Sequence, residues 1–160
     1  LMKGSQKVID LLNTLLAGEL TAMDQYFIHS RMYEDWGLTR LYNRISHEMQ
    51  DETDHADQMI KRILFMEGMP DLTHREPLRV GHTVPEMLQN DLDLEYAVVK
   101  NLREGIALCE KEDDYETRQM LLKQLEDTEL DHTHWLEQQL GLIDKMGLRN
   151  YQQAMTLAEA

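Results

Sequence analysis

Glu52-Thr53-Asp54-His55 and Glu129-Leu130-Asp131-His132 decide how this chain is read. Each puts a glutamate three residues before a histidine, within apolar residues that recur at helical spacing. Ile45, Met49, Ala56 and Met59 surround Glu52; Leu122, Leu125, Thr133 and Leu136 surround Glu129. Residues three or four apart share one face of an α-helix, so both pairs are expected on an apolar face. A carboxylate there is costly unless it is paired or bound to a metal. Two more glutamates pose the same problem. Glu19 lies among Leu12, Leu15, Leu16, Ala22, Met23 and Tyr26, and Glu95 among Leu88, Leu92, Val98, Val99 and Leu102. The order is regular: Glu52 follows Glu19 by 33 residues, and Glu129 follows Glu95 by 34. Two similar helical hairpins are therefore expected. Any one element would mean little, because an isolated core-facing glutamate is usually a misjudged helix phase. The competing bland reading puts the acids on a solvated face and the histidines in an ordinary core.

Outward from these motifs, nearly everything reads as helix. Ser5 is placed to cap a first helix ending near Trp36, and Gly37 interrupts the pattern. A second helix is expected from Thr39 to about Met66. Thr83-Val84-Pro85-Glu86 has the form of a capping box with proline in the first turn, opening a third helix to about Lys111. Asp113 or Asp114 can cap a fourth helix to about Asp144, and a short fifth runs roughly from Leu148 to Leu157. The main helices are each roughly 40–48 Å long at 1.5 Å per residue. Short links make helices one and two, and three and four, antiparallel neighbours. The long irregular segment from Glu67 to Val84 contains Pro70 and Pro77, and the third proline, Pro85, follows it directly. It suits a crossover along the bundle, which is the ferritin-like topology. The expectation is a single all-α domain over 1–160: a ferritin-like four-helix bundle with one long crossover and a short fifth C-terminal helix.

Composition narrows the function. The chain has 160 residues, 30 Asp and Glu against 16 Lys and Arg, and a formal charge of −14. Such a surface repels nucleic acid and anionic lipid and attracts small cations. No stretch is long and apolar enough for a membrane span. The first residues lack the apolar core of a signal peptide, and Cys109 is the only cysteine. Both features fit a cytoplasmic protein.

One glutamate from each of two helices plus Glu-x-x-His from the other two is the arrangement of di-iron carboxylate proteins. Oxygen-rich ligation with one nitrogen per metal suits iron or manganese. The candidate ligands are Glu19, Glu52, His55, Glu95, Glu129 and His132. Tyr26, two turns after Glu19, could hydrogen-bond a ligand carboxylate, donate an electron, or be plain core. His47 and Asp51 approach Glu52 and could hold a further iron; a solvated polar face is the simpler reading. Trp36 and Trp135 are read as core. His29, His74, His82 and His134 show no partner pattern.

The chain resembles bacterioferritin along nearly its whole length. The resemblance is carried by Met2-Lys3-Gly4, Leu15-Leu16-Ala17-Gly18-Glu19-Leu20, Asp24-Gln25-Tyr26-Phe27, Glu52-Thr53-Asp54-His55-Ala56-Asp57, Arg62-Ile63-Leu64-Phe65-Met66-Glu67-Gly68, His132-Thr133-His134-Trp135-Leu136-Glu137 and Leu142-Ile143-Asp144-Lys145-Met146-Gly147-Leu148-Arg149-Asn150-Tyr151. It implies a ferroxidase with two irons per subunit, held by the six residues named above with Glu52 and Glu129 bridging. It also implies inner-surface iron at His47 and Asp51, and a hollow homo-oligomeric shell of 24 subunits. Asn150 and Gln153 would lie on a pore, and a small ferredoxin would supply electrons for iron release. There are two departures. The segment at Asp127-Thr128 is one residue longer than the family pattern, so a third inner-surface carboxylate is unassigned, with Asp127 a candidate. Thr53 stands where haem-binding members carry the haem-ligating methionine, so a homomer is expected to bind little or no haem. Co-assembly with a haem-binding subunit stays open. The expected function is iron storage and detoxification by a ferroxidase. The alternatives are a di-iron peroxidase or oxygenase without mineral, and a non-catalytic cage subunit.

Overall fold

The computed structural model describes residues 4–157. Met2 and Lys3 of the resemblance, and the outermost residues of the 1–160 domain range, lie outside them. The elements are α1 (Gln6–Asp35), α2 (Thr39–Phe65), α3 (Val84–Lys111), α4 (Tyr115–Glu126), a π-helical segment (Asp127–Thr133), α5 (His134–Met146) and α6 (Leu148–Met155). The architecture is the expected all-α bundle with a short terminal helix. The fourth long helix differs from expectation, because α4 and α5 are joined through one wide π turn.

The ends follow local chemistry. Thr83 Oγ1 accepts from the Glu86 backbone N–H at 3.3 Å. The returning Glu86 carboxylate takes the N–H of His82, at 2.8 Å, one residue before the partner a capping box would use. Asp114 is the cap of α4, accepting from Thr117 N at 3.0 Å. Ser5 has the extended backbone of a cap, but its side chain makes no capping hydrogen bond. Gly147, at φ 81°, turns the chain between α5 and α6.

The crossover, residues 66–83, runs along α1. Asn13 Oδ1 accepts from Asp71 N at 2.9 Å, and Thr21 Oγ1 from Glu76 N at 2.8 Å. Gln25 Oε1 accepts from Arg79 N at 3.2 Å, and His29 Nε2 from Gly81 N at 3.1 Å. Asn13, Thr21, Gln25 and His29 are spaced by whole helical turns, so one polar stripe of α1 satisfies the backbone of an otherwise irregular strap. His29 Nδ1 then donates to buried Asp91 at 2.9 Å, and Gln25 Nε2 donates to the same oxygen at 2.8 Å.

Two apolar clusters fill the bundle. One contains Leu12, Leu16, Met59, Ile63, Leu102 and Leu121. The other contains Tyr26, Tyr33, Leu41, Ile45, Leu88 and Leu136. Each large side chain removed from water contributes roughly 1.5–3 kcal/mol. That offsets the cost of the acids buried between the clusters. Trp36 was expected in the core; it is 42% exposed, edge-on to Tyr33. Trp135 is half-buried, with the Arg44 guanidinium 4.8 Å above its ring.

Candidate metal centre

On α1, Leu12, Leu15, Leu16, Glu19, Ala22 and Tyr26 are all buried, so the apolar periodicity carries Glu19 inward. On α3 the same holds for Glu95, set between Leu88, Leu92, Val98 and Leu102. On α2 the buried face is Leu41, Ile45, Glu48, Glu52, His55, Met59 and Ile63. Met49, expected on this stripe, is only half-buried, and Glu48 takes its place. Glu48 lies three residues after Ile45 and four before Glu52, a spacing that marks it as inward-facing. The more apolar neighbour drew the assignment instead.

The structure brings together Glu19, Glu52, His55, Glu95 and His132. Donor atoms of Glu19, Glu52 and His55 lie within 4.8 Å of one another, as do those of Glu52, Glu95 and His132. Two metal positions sharing Glu52 fit this geometry. His55 Nδ1 is 3.7 Å from Glu19 and 3.6 Å from Glu52. His132 Nδ1 is 3.0 Å from Glu52 and 3.7 Å from Glu95. The far nitrogens face outer carboxylates: His55 Nε2 is 3.2 Å from Asp127, and His132 Nε2 is 3.0 Å from Asp51 and in contact with Glu48. An imidazole whose Nε2–H is held by a carboxylate presents its Nδ1 lone pair to a metal. Arg44 braces the outer layer, donating to Glu48 at 2.5 Å and Asp131 at 2.6 Å. The Tyr26 hydroxyl donates to Glu95 Oε1.

Glu129 is not brought into the cluster. Its carboxylate accepts from Arg103 at 2.6 Å and is 33% exposed, while Thr128 beside it is buried. The shared face expected for Glu129 and His132 assumed an α-helix of about 100° per residue. The wide i→i+5 turn rotates each residue less, so three steps back from His132 fall short of a full turn. The residue four back, Thr128, faces inward instead. The same turn puts Asp127 against His55. His47 is exposed and 3.5 Å from half-buried Asp51. Asn150 and Gln153 are exposed on α6.

Electrostatics polarise the site. Burial pushes Glu52 up, but the adjacent His132 and His55 imidazoles outweigh it and hold the carboxyl at about 2. Burial and the neighbouring Glu52 charge raise Glu95 to about 7. Burial alone would lower both imidazoles. Asp51, Glu48, Glu52 and Glu95 instead drive His132 up, and Glu52 and Asp127 raise His55. Within the protein, the imidazolium groups supply the positive charge that this nest of acids requires.

The ferritin-like domain profile matches residues 9–146. A bacterial ferritin of Synechocystis sp. is 63% identical over 153 residues, covering 96% of this chain and 98% of the relative. A bacterial ferritin of Pseudomonas aeruginosa is 58% identical, with 96% and 99% covered. The chain belongs to the ferritin-like, bacterioferritin family. A bacterioferritin of Brucella melitensis is 43% identical over 152 residues, covering 95% of this chain and 94% of the relative. In this ferritin-like chain, paired oxygen-rich clusters with one imidazole each are candidate di-iron positions and support ferroxidase chemistry. Among the described residues, no helix is long and apolar enough to cross a membrane.

Proposed function

We propose that this chain is an iron-storing ferroxidase that oxidises Fe²⁺ with dioxygen or peroxide and stores the ferric product in a hollow shell. One observation carries the reading. Buried atoms from α1, α2, α3 and the π segment converge without a hydrogen-bond partner in the protein: Glu19 Oε2, both oxygens of Glu52, Glu95 Oε2, His55 Nδ1 and His132 Nδ1. Buried acceptors are normally satisfied. Here the donor set matches a pair of divalent cations, one at Glu19, Glu52 and His55 and the other at Glu52, Glu95 and His132.

Iron is the substrate. Two Fe²⁺ ions lose one electron each, and dioxygen takes both with two protons to leave as hydrogen peroxide. The protein holds the ions close together and surrounds them with negative charge, which favours the ferric state. Asp51 and Asp127 orient the imidazoles. Tyr26 fixes Glu95, and an electron from its ring is a further role consistent with its contact. His47 and Asp51, beside His132, suit onward movement of iron.

The family resemblance supports a 24-subunit cytoplasmic shell with Asn150 and Gln153 on a pore, and a ferredoxin as reductant for release. Thr53, which donates to Met49 O at 2.9 Å, has no thioether to ligate haem. A homomer is therefore read as haem-poor, with haem supplied in a mixed shell by another subunit type.

The test is anaerobic loading with Fe²⁺ followed by air. A fast phase consuming about two irons per subunit, then slower uptake of many more, is expected for paired sites feeding a mineral. Glu52→Ala, which removes the residue common to both positions, should abolish the fast phase. Saturation at the pair with no later uptake would favour a di-iron enzyme without storage. An unchanged fast phase in Glu52→Ala would refute the site.

A further inference from the structure

The π segment divides the half-repeat unequally. Glu19 and Glu95 correspond, as do His55 and His132, and all four side chains face the centre. Glu52 faces it too, but its counterpart Glu129 lies outside on Arg103. Thr128 is buried in its stead, its hydroxyl turned back to the Gln124 carbonyl at 2.8 Å. That hydroxyl makes no contact with the ligand cluster. Meanwhile Glu52 Oε1, Glu95 Oε2 and His132 Nδ1 remain buried and unpartnered around the second position.

The helix on either side is regular, so one surplus residue is confined to this turn. A surplus residue can be taken up on either side of Glu129. Between Glu129 and His132 it gives the observed register, with Thr128 inside. If it is taken up before Glu129, then Glu129 and His132 are three α-helical steps apart and share a face. The exchange gives up the exposed ion pair to Arg103 and requires the Asp131–Arg44 and Asp127–His55 contacts of the same turn to re-form, while Leu130, 68% exposed, is not anchored in the core.

We propose that the Asp127–Thr133 turn is a two-register element that delivers the carboxylate of the second metal position. In one register Arg103 holds Glu129 outside; in the other Glu129 turns inward to join Glu52, Glu95 and His132. A divalent cation at that position favours the inward register, because it supplies the counter-charge that Arg103 supplies outside. Arg103 is a positioning residue. The proposal rests on the metal-centre reading above.

The experiment is anaerobic titration of the full chain with Co²⁺, followed by its visible ligand-field spectrum, which needs no turnover. Two equivalents per subunit are expected, with Glu52→Ala impairing both. Glu129→Ala should weaken only the second, by at least the roughly 10- to 100-fold that loss of an outer-shell partner costs. Arg103→Ala should tighten the second by about two- to fivefold, the range of an exposed ion pair. Deleting Thr128 removes the surplus residue; the variant should bind the second ion tightly, without the Arg103 dependence. If Glu129→Ala and Arg103→Ala both leave the second equivalent unchanged, Glu129 stays outside and the two-register proposal is overturned while the centre stands. If the parent chain binds no Co²⁺, or Glu52→Ala has no effect, the metal-centre reading itself falls and takes the proposal with it.

Discussion

Metal binding to this protein should be a proton-releasing reaction. The imidazoles lie among Glu48, Asp51, Glu52, Glu95 and Asp127, which favours the protonated form of each, and a cation must displace that proton. At pH 7, His132, driven far above its usual range, gives up about one proton per subunit. Glu95, at about 7, is half-protonated and gives up about half of one. His55, also raised, adds a further share, while Glu52, at about 2, adds none. With His55 adding between none and one, the total lies between about 1.5 and 2.5 protons for the pair of metals. Protons compete with the cation, so affinity rises with pH. Near pH 7, the product of the two association constants should increase by about two logarithmic units per pH unit. The slope should steepen below Glu95's value and relax above it. Calorimetry with Zn²⁺ under nitrogen, in two buffers of different ionisation enthalpy, counts the protons directly. Glu95→Gln should lose about half a proton at pH 7 and nothing at pH 9. Release of less than one proton per subunit, or a pH-independent affinity, would refute the view that imidazolium groups hold the place of the metals.

The same charge excess has a consequence for stability. Glu95 rises from 4.5 to about 7 on folding. Its protonation thus favours the folded state, and ionisation costs stability as pH climbs through that window, by the order of 3 kcal/mol above it. In protein stripped of metal by chelator, Glu95→Gln should resist urea better than the parent at pH 8 and equally at pH 4; a less stable variant at pH 8 would contradict the sign. His29→Ala should free the crossover at Gly81 and leave Asp91 short of a donor. That should cost about 1–3 kcal/mol and speed amide hydrogen exchange across residues 66–83 more than in α2. Thr53→Met should yield the low-spin spectrum of haem with thioether ligation after reconstitution, and the parent should not; stoichiometric haem in the homomeric parent would show that Thr53 is the wrong position. Light scattering should show a particle many times the 18.8 kDa chain mass, and a monomer would exclude the shell.

The sequence by itself determined the number, order and length of the long helices, because apolar periodicity and capping act within a few residues. It also marked Glu19, Glu52, His55, Glu95 and His132 as inward-facing. On α1, α2 and α3 an unbroken 3.6-residue period carries the phase from the surrounding leucines, isoleucines and valines. Phase failed where the period did: the surplus residue near Asp127 became a π turn, which sent Glu129 out to Arg103 and set Asp127 on His55. No local pattern separates a three-residue spacing on a narrow turn from the same spacing on a wide one. The role of His29 was likewise invisible, since its partners, Gly81 and Asp91, are remote in the chain. Only the tertiary structure decided which carboxylates meet. Contacts between helices depend on how neighbouring helices pack and on where the crossover strap is tied, and periodicity along one helix carries neither.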